Sequence, residues 1–207
     1  PISTILQALD INRSEMINSF YETNKYTYLN DIQKWSTEFI PENYKRPIKL
    51  SYDLIDSATK KKYLGKGEKL NLVIANKLKE KKLKNILISN EEILGKYSSS
   101  ELVSKNNETI LGAGFDITTE VLEKIIDEKI HTMNLVNVDP VNKGPYLLET
   151  LKIDKNLNKT EALNDIYKVL RPGEAPTVEI AEEVFKNLYF TKERYDLSEV
   201  GRVKLNS

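Results

Sequence analysis

The chain has 207 residues, of which 30% are charged and 40% hydrophobic, an ordinary composition for a folded globular protein. Its 31 basic and 31 acidic residues cancel, so no overall field indicates nucleic-acid binding. The absence of cysteine excludes disulfides, a thiolate nucleophile and a thiolate metal site, and no segment has the length and apolarity of a membrane span.

The middle of the chain contains an internal repeat. Residues 63–88 align with residues 110–135 at an offset of 47 without a gap. Each copy predicts a strand, a glycine-rich turn, a short strand, an amphipathic helix and a final strand, with Asn71 and Thr118 as the helix N-caps. Two such copies can bury their apolar faces on each other, so we expect a compact α+β unit over about residues 25–138.

The glycine pairs of the repeat, at 65 and 67 and again at 112 and 114, allow two interpretations. A phosphate-binding loop is weakly supported, because neither pair has the third glycine or the following Lys-Ser/Thr that such sites need. A hairpin turn is favoured, since paired glycines are common there.

The two copies differ in charge. The stretch from Lys60 to Lys84 has ten Lys and two Glu, about +8, whereas residues 107–131 have six acidic residues and two Lys, about −4. Solvated helix faces would explain both runs. The more specific hypothesis is that the lysine-rich stretch forms a basic face that binds nucleic acid or an acidic partner. Such binding should weaken as the salt concentration rises. The candidates for this partner-binding face are Lys77, Lys81, Lys82 and Lys84.

No arrangement of side chains predicts an autonomous active site. The lone histidine, His131, aligns with a lysine of the other copy and is expected at the surface, without a metal cluster. Adjacent carboxylates such as Glu91 and Glu92 point to different sides of an element and cannot act as a catalytic pair. Aromatic residues around position 35 could stack on bases, but core filling is favoured for them. They are Tyr26, Tyr28, Trp35 and Tyr44.

The last third predicts a helical hairpin. Asn158, with Glu161 three residues later, indicates the start of a first helix, and Pro172-Gly173 ends it. Thr177 can cap the second helix. The predicted core positions are Leu163, Ile166, Tyr167 and Leu170 in the first helix and Ile180, Ala181, Val184, Phe185 and Leu188 in the second.

The same region carries a family resemblance. The blocks Gly144-Pro145-Tyr146, Leu170-Arg171-Pro172-Gly173-Glu174 and Arg194-Tyr195-Asp196-Leu197-Ser198 closely resemble, in order and spacing, the lobe of the bacterial RNA polymerase beta subunit family. Pro1–Leu9 is similar to the preceding lobe segment, and the middle is similar only loosely, where many family members carry an inserted domain. The resemblance implies an α+β architecture with a helical lobe portion from residues 1–24 and 139–207. It also implies an inserted external domain at 25–138, built from the two repeats.

The resemblance further implies a non-catalytic segment of DNA-directed RNA polymerase, a cytoplasmic, nucleoid-associated nucleotidyltransferase. The lobe would form part of the DNA cleft wall, and Arg171, Arg194 and Arg202 are candidates for facing DNA phosphates. No cofactor is expected in this segment, because the family's magnesium is bound by beta-prime.

The implied partners are beta-prime, alpha, sigma and DNA, with secondary-channel regulators docking on the inserted domain and no membrane. The start at Pro1 rather than Met favours an excerpt of a larger subunit that is inactive alone. The alternative is a free-standing interaction module related to the lobe, and a small autonomous enzyme ranks last.

Overall fold

The computed structural model describes residues 1–138, 144–154, 156, 158–175 and 177–189, in which helices and small antiparallel sheets are mixed. The helices are α1 Ile2–Ala8, α2 Arg13–Phe20, α3 Leu72–Glu80, α4 Asn90–Ile93, α5 Thr119–Asp127, α6 Tyr146–Ile153, α7 Lys159–Leu170 and α8 Val178–Tyr189. The strands are β1 Thr23–Leu29, β2 Lys34–Glu38, β3 Ile48–Lys49, β4 Leu54–Ile55, β5 Lys62–Leu64, β6 Lys69–Leu70, β7 Asn85–Ile88, β8 Leu102–Val103, β9 Thr109–Leu111 and β10 Thr132–Val136. The α+β class expected from the sequence is confirmed.

The chain divides into two compact units, residues 1–16 with 149–207 and residues 17–148. The domain boundaries expected at residues 24 and 139 stay a prediction, and Asp139-Pro140 lies outside the described residues. None of the described helices is long and apolar enough to cross a membrane.

The unit of residues 17–148 is organised around a four-stranded antiparallel sheet of order β10-β1-β2-β7. Trp35 is fully buried on this sheet and its ring lies 4.9 Å from that of Tyr28. Tyr26 and Tyr44 belong to the same core. The expectation that these aromatic residues fill a core is therefore confirmed, and base stacking is excluded for the buried Trp35.

Both helices of the proposed repeat begin at the residues expected. The Asn71 side chain accepts the Ile74 amide at 2.9 Å, and the Thr118 hydroxyl accepts the Val121 amide at 3.4 Å. These bonds satisfy amides that have no partner within the helix, so local chemistry alone defined both starts.

The C-terminal ends of α3 and α5 share one hydrogen-bond arrangement. In each, an apolar residue after the helix donates its amide to the carbonyl five residues earlier, Leu83 at 3.2 Å and Ile130 at 3.0 Å. The preceding residues have left-handed backbones, with φ of 70° at Lys82 and 55° at Lys129. This Schellman arrangement usually has glycine at that position.

The expectation of hairpin turns at the glycine pairs is wrong. The turn at Gly65 and Gly67 joins β5 to β6, but β5 pairs with β4 and β6 with β3, in separate two-stranded sheets. In the second copy β9 pairs with β8, and Asp116 bridges to Tyr97. Gly67 still needs its positive φ of 89°, but it reverses the chain between strands that do not pair with each other.

In the unit formed by the chain ends, α7 packs against both α1 and α8. Asn158 caps α7 by accepting the Glu161 amide at 2.9 Å, and Thr177 immediately precedes α8, as expected. The core contains Ala8, Ala162, Leu163, Tyr167, Ala181 and Phe185, with Ile166 and Val184 against it.

Two predicted core positions in the hairpin are corrected. Leu170 is 41% exposed and Ile180 is 44% exposed. Leu170 is the last residue of α7 and Ile180 lies in the first turn of α8, so both are at helix ends beside the connecting segment, where the apolar stripe is not fully covered.

A buried arginine links the two ends of this unit. The Arg13 guanidinium donates to the carbonyl oxygens of Leu151 at 2.7 Å and Asn156 at 3.0 Å, and also to that of Asp154. The Leu151 carbonyl lies in the last turn of α6 and the other two follow that helix, where carbonyls lack donor partners within the helix. Hydrogen bonds from Arg13 thus join the first and last parts of this unit.

Candidate functional site

The candidate basic face lies at the C-terminal end of α3. Lys77 belongs to the helix, Lys81 is its C-cap, Lys82 has the left-handed backbone, and Lys84 directly precedes β7. All four side chains are exposed. The location of these lysines is compatible with a partner-binding face, whose role stays a prediction.

The lysines of this face have no counter-ion among the described residues. Lys77, Lys81, Lys82 and Lys84 make no ion pair with any carboxylate of the described residues. Helix dipoles favour cations at C-termini, which accounts for part of the accumulation, but the dipole falls off within the last turn. Lys84 therefore carries a charge that the helix end does not balance.

Further lysines lie on or beside the short strands that precede α3. Lys49 of β3 lies directly opposite Lys69 of β6, a like-charge cross-strand pair that is unfavourable for the sheet. The exposed ion pair nearby joins Lys62 to Asp53 at 3.5 Å. The Lys66 amide donates to the Asp53 carboxylate at 2.8 Å and, with the Lys62 charge, holds the pKa of Asp53 below its ordinary value.

Sequence reasoning missed one lysine of this region. Lys79 and Lys84 line a cleft of about 270 Å³ together with Glu38, Phe39 and Asn85. The Phe39 amide donates to the Lys84 carbonyl at 2.8 Å, which fixes one wall. Spacing along the helix could not reveal this cleft, because Phe39 lies forty residues before Lys79 in the sequence.

Of the three arginines that are candidates for facing DNA, Arg171 lies within the described residues. It is the C-cap of α7, and its exposed guanidinium lies 3.8 Å from the Glu174 carboxylate. Glu174 also accepts the Tyr167 hydroxyl at 2.7 Å, and this hydrogen bond raises the pKa of Tyr167. Arg171 is thus at a surface turn with one weak ion pair, while Arg194 and Arg202 lie outside the described residues.

The described residues bring together no metal-binding cluster. No group of three or more His, Asp or Glu side chains among them could hold a metal ion. His131 is exposed, as expected from its alignment with a lysine. Among the residues that the sequence analysis singled out, the structure brings together the four lysines of the basic face.

A second cavity, of about 340 Å³, opens on the sheet of residues 17–148 and is lined by several tyrosines. Burial raises the pKa of Tyr26 to about 12 and raises that of Tyr52 further. Lys96 also lines it, and burial lowers the pKa of that lysine while the Glu92 charge opposes the change. The cavity mixes charges of both signs and favours no class of ligand.

Comparison with known proteins gives one family. The family described as RNA polymerase Rpb2, domain 2, matches residues 87–207. A DNA-directed RNA polymerase subunit beta from Jannaschia sp. (strain CCS1) is 36% identical over 218 residues, covering 100% of this chain and 16% of the relative. The subunit beta of Rickettsia conorii is 39% identical over 206 residues, covering 99% of this chain and 15% of the relative. The chain therefore spans about a sixth of the length of these curated relatives.

Proposed function

Since the chain belongs to the RNA polymerase Rpb2, domain 2, family, we propose that it serves as a non-catalytic segment of the beta subunit of DNA-directed RNA polymerase. The observation that carries this proposal is the match of the whole chain to 15–16% of each polymerase subunit. In this proposal the magnesium is bound by beta-prime, and the subunit works in the bacterial cytoplasm with beta-prime, alpha and sigma.

An antibody against the chain tests the proposal in source cells. We expect it to capture a polypeptide above about 100 kDa, since the chain covers about a sixth of its relatives, together with other large chains and template-dependent NTP incorporation. A lone inactive chain of 23.8 kDa would instead support the free-standing interaction module. The isolated 207-residue chain should incorporate no nucleotides.

We further propose that the lobe portion forms part of the DNA cleft wall. Its DNA-facing candidates are Arg171 and Arg202, with Arg194 ranked after them. Arg171 supports this role because its side chain is exposed and its ion pair with Glu174 is long, at 3.8 Å, and a guanidinium carries several donors that suit a phosphate. Such contacts would position DNA without reading its sequence.

The arginine candidates are tested in the complete polymerase. Replacing Arg171 and Arg202 by alanine should shorten the lifetime of the open promoter complex, with the larger effect at low salt, because salt screens the phosphate contacts that the arginines would make. Lys168→Ala, at an exposed position in the last turn of α7, is the matched control. Unchanged open-complex lifetimes in a normally assembled enzyme would remove both arginines from the DNA interface.

We also propose that residues 25–138 are an inserted domain of two repeats that serves as a docking surface for transcription regulators. The matching N-caps, Schellman ends and strand–turn–helix–strand order of residues 63–88 and 110–135 support the duplication. The basic face, with Lys77, Lys81, Lys82 and Lys84 exposed and without ion pairs among the described residues, supports the docking role.

A further inference from the structure

The cleft at the end of α3 is enclosed by three separate segments. Its volume is about 270 Å³, and Lys79, Lys84, Glu38, Phe39 and Asn85 line it. Glu38 of β2 is the direct cross-strand partner of Asn85 of β7, and the adjacent Phe39 is almost completely buried. Two of the segments that line the cleft are therefore held together by strand pairing, unlike a set of lysines on one loop.

Two lysine side chains, Lys79 and Lys84, line this cleft. Neither Lys79 nor Lys84 makes an ion pair with a carboxylate of the described residues, although Glu38 lines the same cleft. The dipole of α3 favours Lys79 in its last turn, but Lys84 lies beyond the helix. Charges of the same sign near one concave surface repel each other, and an oxyanion placed between them would relieve that repulsion.

The cleft fits an acidic polypeptide better than a nucleic acid. A phosphate backbone carries closely spaced negative charges, so a carboxylate such as Glu38 in the contact region disfavours it. A single carboxylate side chain can meet the lysines and the Asn85 amide while its neighbours stay clear of Glu38. Val73, one turn before Lys77 on α3, is 62% exposed and offers an apolar contact that a polypeptide side chain can use.

We propose that this cleft binds the carboxylate of an Asp or Glu side chain from an acidic segment of a docking protein. Lys79 and Lys84 hold the carboxylate oxygens, and the Asn85 amide is positioned to donate a further hydrogen bond. The inference rests on the proposed docking role of residues 25–138 and deepens it by naming the chemistry of the partner.

The test measures binding of a fluorescein-labelled, glutamate-rich peptide containing leucine to the full 207-residue chain at low salt. Lys79→Ala and Lys84→Ala should each weaken binding about fivefold, the size expected for one charge-assisted contact. Lys124→Ala is the matched control, because Lys124 is an exposed lysine of α5 at the repeat position of Lys77. It should change the affinity less than about twofold.

The double variant Lys79→Ala/Lys84→Ala decides whether one carboxylate meets both lysines. If it does, the combined loss is smaller than the product of the single losses, because the first replacement already weakens the shared contact. Losses that multiply, or a Lys124 effect of equal size, would overturn the shared cleft. The single tryptophan, Trp35, reports by its fluorescence whether each variant keeps the fold.

Competition with a DNA duplex distinguishes an acidic polypeptide partner from a nucleic-acid partner. Displacement of the peptide by a duplex at equal or lower concentration, with the same lysine dependence, would overturn the polypeptide assignment in favour of nucleic acid. The proposed polymerase role is judged independently by antibody capture. A chain that is part of a large polymerase but shows no lysine-dependent peptide binding would refute only the cleft assignment.

Discussion

A single carboxylate, Asp154, joins the two ends of the chain within their shared unit. It is 4% exposed and accepts the hydroxyls of Ser3 at 2.5 Å and Thr4 at 3.1 Å, and the amide groups of Asn156 at 3.0 Å. Burial alone raises the pKa of the Asp154 carboxyl, but its hydrogen-bond donors favour the ionised form and leave the pKa below its ordinary value. The ionised carboxylate therefore stabilises the folded state.

Replacement of this carboxylate should change both stability and its dependence on pH. We expect Asp154→Asn to lower the free energy of unfolding at neutral pH by about 1–3 kcal/mol, since buried hydroxyl and amide donors lose a charged acceptor. The contribution of Asp154 is present above the ordinary carboxyl pKa of about 4 and is lost as pH falls through the lower folded-state value. The difference between the two proteins should thus shrink in acid, as measured by urea unfolding at a series of pH values.

Asp165→Asn provides the control, because Asp165 is an exposed carboxylate on α7. This variant should change stability by less than about 0.5 kcal/mol and keep the acid dependence of the unmodified chain. If Asp154→Asn lost stability by the same amount at every pH, its effect would be one of packing and not of the ionised carboxyl.

At the scale of single elements, the ends of α3 and α5 contain a removable strain. Lys129 has φ of 55° in the position that most often carries glycine, and a left-handed conformation is unfavourable for a residue with a Cβ. We expect Lys129→Gly to raise the free energy of unfolding by about 0.5–1 kcal/mol in urea titrations, because strain relief exceeds the added freedom of the unfolded chain.

At an interior position of α5, a substitution by glycine should lower the free energy of unfolding instead of raising it. Lys124→Gly, at an exposed interior position of α5, should destabilise the protein by about 1 kcal/mol, because glycine there weakens the helix. A loss of stability in both variants would show that the Lys129 side chain contributes more than its backbone strain removes.

The helix starts could be predicted from the sequence because they depend on neighbouring residues only. Asn71, Thr118 and Asn158 each accept an amide three residues later, so the chemistry is complete within one turn. Periodicity was less informative at helix ends. Leu170 and Ile180 continue the apolar stripes of α7 and α8, but whether a residue at a helix end is covered depends on the surrounding elements, which the sequence of one helix does not reveal.

Long-range pairing explains the other misses. The glycine turn after β5 predicted a hairpin, but β3 and β4, earlier in the chain, took the pairing edges of β6 and β5. Similarly, charge counting found the basic face but omitted Lys79, whose neighbour in the cleft is the distant Phe39. Local patterns predicted which residues are exposed and charged, while tertiary packing determined which of them share a concave surface.

At the scale of the whole molecule, the chain has two hydrophobic cores that different probes can follow. The single tryptophan, Trp35, is fully buried in the core of residues 17–148. The other core, which includes Leu163 and Phe185, contains no tryptophan, and its helices contribute to far-ultraviolet circular dichroism. Fluorescence therefore reports on one unit, whereas circular dichroism reports on both.

Asp154→Asn should separate these two signals. Because Asp154 belongs to the unit of the chain ends, its replacement should move part of the circular-dichroism transition to lower urea while the Trp35 midpoint stays unchanged. Trp35→Phe is unsuitable as a partner variant, so Leu122→Ala in the fluorescent core provides the reciprocal test, with an expected loss of about 2–5 kcal/mol in that unit. If both signals shift together in each variant, the two cores unfold as one cooperative body. If Asp154→Asn leaves the Trp35 midpoint unchanged and Leu122→Ala lowers it, the cores are separate folding units, as expected for an inserted domain.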